Sequence, residues 1–292
     1  MNQISEVKKI YENGGNILGF LKSKSNSLQN STESILISYD FQAGTYTEFV
    51  KQNTEYINNY TGAIAKLLDN LSFNSIIEVG VGEATTLGNV VERLVKRPEF
   101  IYGFDLSWSR IKYAQQYLKS KKITGTLFTG NLFNAPIGDN AIDIVYTSHS
   151  IEPNGGKEKE ALRELYRITS KYLVLLEPAY EFADEEGKKR MERLGYIKNL
   201  HSTAKDLGYK TVEYRKFDYC TNPLNPTGLI VIEKKSNEVS NNVLACPVSK
   251  TRLQLEKNAY FSKESLLAYP IIDGVPCLLA ENAILATHFN NI

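Results

Sequence analysis

Ile76-Ile77-Glu78-Val79-Gly80-Val81-Gly82 joins an apolar run to two glycines that are one residue apart. The run Ser75–Val79 reads as a buried strand. Gly80 and Gly82 permit a tight strand-to-helix turn and let a ligand approach the backbone closely. The helix expected next, over Thr86–Lys96, offers free amide donors and a partial positive charge at its start. A dinucleotide site would carry a third glycine, but Thr85 stands in that place. Glu78, an acid at the end of the strand, does not suit a pyrophosphate and does suit an ammonium.

Outward from this turn the chain alternates strand and helix. Strands are expected at Ser75–Val79, Phe100–Phe104, Gly125–Thr129, Ala141–Tyr146 and Tyr172–Leu176. Helices are expected at Thr86–Lys96, Ser107–Lys119 and Gly156–Ile168. Near-continuous apolar strands joined by amphipathic helices imply a parallel sheet covered on both faces. Glu181–Asn199 reads as a charged helix, followed by a short one from Ser202. Thr211–Tyr219 and Gly228–Glu233 read as a closing hairpin rather than another crossover. Upstream, residues 1–45 are polar and glycine-punctuated, with helical turns but no stable domain expected. From Tyr46 the apolar residues Phe49, Ile57, Ile64, Leu67 and Leu68 lie near one helical face. Ser236–Asn242 (SNEVSNN) is the linker candidate, and the chain beyond it forms a second, small unit.

The 292 residues, 42% hydrophobic and 23% charged, can bury a large core without staples. The net charge of +1 supplies no global field toward nucleic acid or an anionic membrane. Lys121, Lys122, Lys188, Lys189 and Arg190 read as solvated helix faces. Three cysteines without a CxxC pair make no disulfide framework. There is no apolar leader and no run of about 18 apolar residues, so a soluble, cytoplasmic protein is expected.

Asp105 follows the second strand, where a carboxylate can accept from both hydroxyls of a ribose. Gly130-Asn131-Leu132 follows the third strand, and Asp143-Ile144-Val145-Tyr146 leads into Thr147-Ser148-His149-Ser150. With ExGxG at Glu78–Gly82, these pieces resemble the class I S-adenosylmethionine-dependent methyltransferase family over about Tyr46–Lys234. The resemblance implies an α/β, Rossmann-like, doubly wound seven-stranded sheet with a reversed last strand, over residues 46–235. It implies S-adenosylmethionine as cofactor, held by Glu78, Gly80, Gly82, Asp105, Asn131, Leu132 and Ser148. Asn131 replaces the Asp usual near the adenine amino group, yet its amide oxygen can still accept. In many relatives, a segment before the core folds across the cofactor; Tyr39, Gln42 and Tyr46 are expected to form such a lid, an ordinary loop being the alternative.

Ligands of doubly wound sheets lie beyond the carboxyl ends of the strands. Methyl transfer from a sulfonium needs an aligned acceptor, exclusion of water and, for a hydroxyl or amine, removal of a proton. His149 directly follows the fourth strand and titrates near neutrality, so it is the candidate base. Packing against the cofactor or capping a helix is its alternative role. Glu152 and Glu177 are the other catalytic candidates.

Leu244-Ala245-Cys246-Pro247-Val248-Ser249 and Ala268-Tyr269-Pro270-Ile271-Ile272-Asp273-Gly274-Val275-Pro276 resemble a small zinc-ribbon-like family, some of whose members activate methyltransferases of RNA and protein. Ser249 stands where the second thiolate of a CxxC belongs, and one thiolate makes no structural zinc site. A metal-free ribbon over residues 243–292 is expected, covering the active site, packing on the catalytic domain or mediating a homodimer. A small polar metabolite, such as a sugar or nucleotide sugar methylated on oxygen or nitrogen, is the expected substrate. Methylation of RNA or protein, and a non-catalytic scaffold, are the alternatives.

Overall fold

Ile76 and Ile77 are both fully buried, yet they belong to different cores, because successive side chains of a strand point to opposite faces. Their strand, β1, runs through the centre of a seven-stranded sheet in a computed structural model that describes residues 2–24, 29–236 and 242–290.

Five helices precede the sheet: α1 (Asn2–Glu12), α2 (Ile17–Lys24), α3 (Thr32–Phe41), α4 (Thr45–Gln52) and α5 (Thr54–Leu68). The alternating region comprises β1 (Ser75–Val79), α6 (Thr85–Arg93), β2 (Phe100–Asp105), α7 (Trp108–Ser120), β3 (Thr126–Thr129), β4 (Ile142–Ser148), α8 (Glu158–Ile168) and β5 (Thr169–Pro178). Then come α9 (Glu185–Leu194), α10 (Leu200–Asp206), β6 (Lys210–Lys216) and β7 (Thr227–Glu233). The strand order is β3-β2-β1-β4-β5-β7-β6, with β7 antiparallel to both of its neighbours. This is the doubly wound sheet with a reversed last strand that the sequence implies.

On one face, Ile64 and Leu68 of α5, Leu87 and Val91 of α6, and Ile111 of α7 pack against Ile76, Ile144 and Val174. On the other, Leu162 and Leu165 of α8 and Leu200 of α10 pack against Ile77, Val145 and Leu173. Both faces are dry, so the open ends of the strands are left for a ligand.

The C-terminal unit is a small antiparallel sheet of β8 (Gln254–Glu256), β9 (Ala259–Ser262), β10 (Leu267–Ile272), β11 (Val275–Pro276) and β12 (Ile284–Leu285). It covers the β3 edge of the large sheet: Thr129 and Cys277 form a parallel bridge, and the Leu278 amide donates to Thr129 O at 3.2 Å. Ile137 bridges Leu244, and Ala245 N donates to Pro136 O at 3.0 Å. Cys246, Leu253, Tyr269 and Leu278 complete the core beneath α8. An exposed edge strand is thereby paired and protected.

Where the ribbon would hold a metal, Cys246 meets hydroxyls. Cys246-x-x-Ser249 is echoed by Ser262-x-x-Ser265. Ser249 N and Ser265 Oγ donate to Cys246 Sγ at 3.4 and 3.6 Å, and Thr251 Oγ1 joins Ser249 Oγ to Ser262 Oγ at 2.7 and 2.6 Å.

Three departures from the sequence expectations have local causes. Residues before 45 form helices, with Val7, Ile17 and Leu21 gathered into a small core. The helical stretch from Tyr46 is cut at Asn53 (φ −125°, ψ 41°), giving α4 and α5. The helix read over Glu181–Asn199 starts at its Asp184 cap and stops at Gly195, which adopts a left-handed conformation (φ 71°). The linker expected at 236–242 falls almost wholly outside the described residues. No helix among the described residues is long and apolar enough to cross a membrane.

Candidate functional site

The glycines after β1 stand where other residues would collide. Gly80 has φ 69°, and a Cβ there would lie 2.2 Å from Ser150 Cβ. The turn after β1 is thus pressed against the loop after β4. Gly82 also adopts positive φ (53°), and its amide donates to Asp105 Oδ2 at 3.1 Å. Asp105 Oδ1 accepts from Ser107 N at 2.9 Å. The carboxylate is fixed by backbone on both oxygens, and each oxygen keeps a lone pair for a ligand. Burial pushes the pKa of its carboxyl up, and the nearby Arg110 charge pulls it back.

Glu78 is 2% exposed and accepts from Tyr146 OH at 2.9 Å. Burial pushes its carboxyl up to about 8, so at neutral pH it is mostly protonated until a cation reaches it.

Turn and helices enclose a cavity of about 560 Å³ at the ends of β1, β2 and β4. Its roof is α3 to α5, tied down by two carboxylates at helix N-termini. Asp40 of α3 accepts from Ser107 Oγ (2.6 Å), Ser109 N (3.2 Å) and Ser109 Oγ (3.1 Å) at the start of α7. Glu83 accepts from Gly44 N (2.9 Å), Tyr46 N (3.2 Å) and Thr47 N (2.6 Å) at the start of α4. Anionic caps satisfy orphan amides and favour the positive end of the helix.

At the other end of the cavity stand His149, Glu152, Asn154, Tyr196, Asn222 and Asn225. His149 has φ 56°, which turns the chain out of β4. Its Nδ1 is 2.9 Å from Glu152 Oε2, and its Nε2 is 2.8 Å from Thr227 Oγ1. Burial pulls the imidazole down, but the hydrogen bond and charge of Glu152 more than offset this and hold it above its ordinary value. Burial raises Glu152, and the hydrogen bond and charge of His149 hold it below the usual carboxylate range. The two form an ion pair below the imidazole's raised value.

Glu177 lies beneath this loop. Its carboxylate accepts from Ser150 N (3.0 Å), Ile151 N (3.2 Å) and Glu152 N (3.2 Å), and it does not line the cavity. Burial pushes it up to about 7. The structure makes it the anchor that shapes the loop carrying His149 and Glu152.

Of the residues expected to hold the cofactor, Glu78, Gly80, Gly82, Asp105, Asn131, Leu132, Ser148 and Tyr39 line one cavity. Gln42 does not: its amide donates back to Ser38 within α3. Asn131 Oδ1 accepts from Phe133 N at 3.0 Å, so the oxygen expected for the adenine is turned into its own loop. Ser148 Oγ pairs with Tyr60 OH at 2.8 Å. Sequence reasoning missed Glu83, Asp40 and Arg110. Glu83 follows the GxG turn directly, and Arg110 falls on the buried face of α7 with Ile111, Ala114 and Leu118.

The site fits an adenosyl cofactor bearing an ammonium. Arg110 Nη2, Ser150 Oγ, Arg190 Nη1 and Asn225 Oδ1 are buried on cavity-lining residues without a hydrogen-bond partner, as a site built for a polar ligand would leave them. Glu78 would meet the ammonium and Asp105 the ribose. Among the described residues, no group of three or more His, Cys, Asp or Glu is placed to hold a metal ion.

Comparison with known proteins adds three findings. Residues 76–171 match the family model described as a methyltransferase domain. A short segment matches small proteins of the UPF0434 family. It is 44% identical over 48 residues to one from Shewanella oneidensis (16% of this chain, 81% of that protein). It is 43% identical over 44 residues to one from Neisseria meningitidis (14% and 73%). Among solved structures, the chain resembles a putative S-adenosyl-L-methionine-dependent methyltransferase from Methanococcus maripaludis (TM-score 0.50, 15% identity, 69% of this chain and 96% of that one). It also resembles a putative O-methyltransferase from Nostoc punctiforme (TM-score 0.50, 13% identity, 64% and 59%). At these identities the likeness is one of fold.

Proposed function

For a chain that carries a methyltransferase domain and belongs over a short segment to the UPF0434 family, we propose methyl transfer from S-adenosylmethionine to an oxygen or nitrogen of a small polar metabolite, such as a sugar or nucleotide sugar. The chain is an S-adenosylmethionine-dependent methyltransferase; the acceptor is what the proposal adds. The ribbon, residues 243–290, is where we place the UPF0434 segment, on the strength of its length and of the LACPV and AYPIIDGVP motifs.

The observation that carries the acceptor class is the shape of the cavity. One cavity is lined both by Gly80 and Asp105 and by His149, Glu152, Tyr196 and Asn225, under the roof of α3 to α5. A roofed chamber of about 560 Å³ has room for cofactor and a small molecule.

When bound, S-adenosylmethionine supplies an electrophilic methyl group on a sulfonium. Glu78 and Asp105 orient it from opposite ends. Helices α3 to α5 cover one side of the chamber and limit the access of water to it. Asn225 and Tyr196 offer hydrogen bonds to an acceptor. His149 serves as base once the acceptor's hydroxyl or amine replaces Thr227 at Nε2 while Glu152 holds Nδ1. Glu177 positions this pair through the loop amides.

Incubation of the protein with methyl-labelled S-adenosylmethionine and a fractionated cell extract tests the proposal. Label is expected in the small-molecule fraction. Label confined to RNA or protein would overturn the acceptor class in favour of a macromolecular one.

A further inference from the structure

Among the described residues, Arg110 is the only Lys or Arg that is buried, at 5% exposure. It stands on the first turn of α7, five positions after Asp105, and lines the same cavity. Nε donates to the carbonyl oxygen of Tyr39 at 2.9 Å. The guanidinium lies 4.7 Å from the ring centroid of Tyr39 and 4.7 Å from that of Tyr46. Nη2 is buried and has no hydrogen-bond partner.

A guanidinium stays charged and presents five donors in a rigid fork. Most of its surface here is engaged by α3 and α4, so its position is fixed rather than chosen by solvent. Both N–H groups of Nη2 are left unmet on a residue that lines the cavity, and an unsatisfied charged group is costly there. A Cβ added to Gly82 would lie 3.3 Å from Nη1, so the fork sits against the same turn that faces the nucleoside. The residue is also the electrostatic counterpart of the ribose-binding Asp105.

We propose that Arg110 is a nucleoside-binding residue that latches the roof: Nη2 donates to a ribose oxygen or adenine ring nitrogen of the cofactor, while Nε and the two tyrosine rings bind the guanidinium to α3 and α4. The proposal rests on the assignment of S-adenosylmethionine to this cavity. The adenosyl group completes the hydrogen bonding of Arg110, and Arg110 carries that completion to the roof. By reciprocity, cofactor binding tightens α3 and α4 as much as their closure tightens the cofactor.

Titration calorimetry on the full chain with S-adenosylhomocysteine and with adenosine tests this, together with amide exchange over residues 32–52. In Arg110→Met, both ligands are expected to bind at least tenfold more weakly. Saturating S-adenosylhomocysteine is expected to slow exchange over 32–52 in the wild type and not in this variant. Arg110→Lys keeps the charge without the fork, and Tyr46→Leu keeps the fork with one ring fewer. Both are expected to fall between, and they carry the test if Arg110→Met does not fold. Variants that bind within twofold of wild type, or that keep the ligand-induced protection, would overturn the latch, even if their thermal stability drops. A folded wild type that binds neither ligand would instead overturn the cofactor assignment and the latch with it.

Discussion

Glu83 Oε2 accepts the backbone amide of Thr47 at 2.6 Å, so the residue after the glycine-rich turn holds the first turn of a helix that roofs the cavity. Gly44 and Tyr46 donate to its other oxygen. The turn that faces the cofactor and the roof that covers it are joined by one carboxylate.

Replacing Glu83 by Ala therefore releases α4 and leaves three amides seeking water. The expected loss is about 1.5–3 kcal/mol of unfolding free energy, the usual scale for a hydrogen bond to a charged group. Chemical denaturation measures it. Affinity for S-adenosylhomocysteine should fall as well, because the roof is loosened; a variant with lower stability and unchanged affinity would separate roof from site.

Glu78 makes cofactor binding a proton-releasing event. Its carboxyl, pushed up to about 8 by burial, is mostly protonated in the free protein at pH 7. An ammonium docking beside it stabilises the anion and expels the proton. Affinity should rise with pH between 6 and 8 and level off above. Calorimetry at pH 7 in buffers of different ionisation enthalpy should show nearly one proton released. Glu78→Gln should abolish that release.

Folding stability responds to the same group with a defined sign. Its folded value lies above the ordinary carboxylate value of 4.5, so its protonated form is the one the fold favours. The stabilisation this gives is complete below about pH 4.5 and is lost as pH rises through about 8. Glu177, raised to about 7, acts in the same direction with its loss ending near pH 7. Without ligand, thermal melting should fall as pH rises from 6 to 8 more steeply in the wild type than in Glu78→Gln.

His149→Ala should lower turnover far more than cofactor affinity, by roughly 10²–10⁴-fold if the imidazole is the base. Single-turnover kinetics beside S-adenosylhomocysteine binding measures the split. Turnover equal to wild type would leave His149 only its contacts with Glu152 and Thr227.

The hydroxyl cluster of the ribbon makes its own prediction. Ser249 N and Ser265 Oγ both donate to Cys246 Sγ, Ser265 N donates to Ser262 Oγ, and Thr251 links Ser262 to Ser249, so the four residues form one cluster. Changing Ser249, Ser262 and Ser265 together to Cys supplies four thiolates, the full set of a structural zinc site. Elemental analysis should find one zinc per chain in this triple variant and no stoichiometric zinc in the wild type.

The sheet was legible in the sequence because period, turn residues and apolar runs agree there. Ile76 and Ile77 announce a strand buried on both faces, and Gly80 and Gly82 occupy the positive-φ positions that the turn requires. The roof was less legible because carboxylates hold it. Asp40 and Glu83 look like surface acids until the helix ends they cap are known. Glu177 was read as a reactive group because it ends a strand, yet its partners are three amides from a loop 25–27 residues away in sequence. Arg110 carried a signal that periodicity alone could expose: a cation on the apolar stripe of a helix. Ser262-x-x-Ser265 likewise repeats the spacing of Cys246-x-x-Ser249, visible once the ribbon is folded on itself.

Titration of the folded wild-type chain and of Asp105→Ala with S-adenosylhomocysteine tests the cofactor site most directly. One molecule should bind per chain, and the substitution should weaken binding by about 1–3 kcal/mol through loss of buried hydrogen bonds to the ribose. No binding by the folded wild type, or equal affinity in the variant, would contradict it.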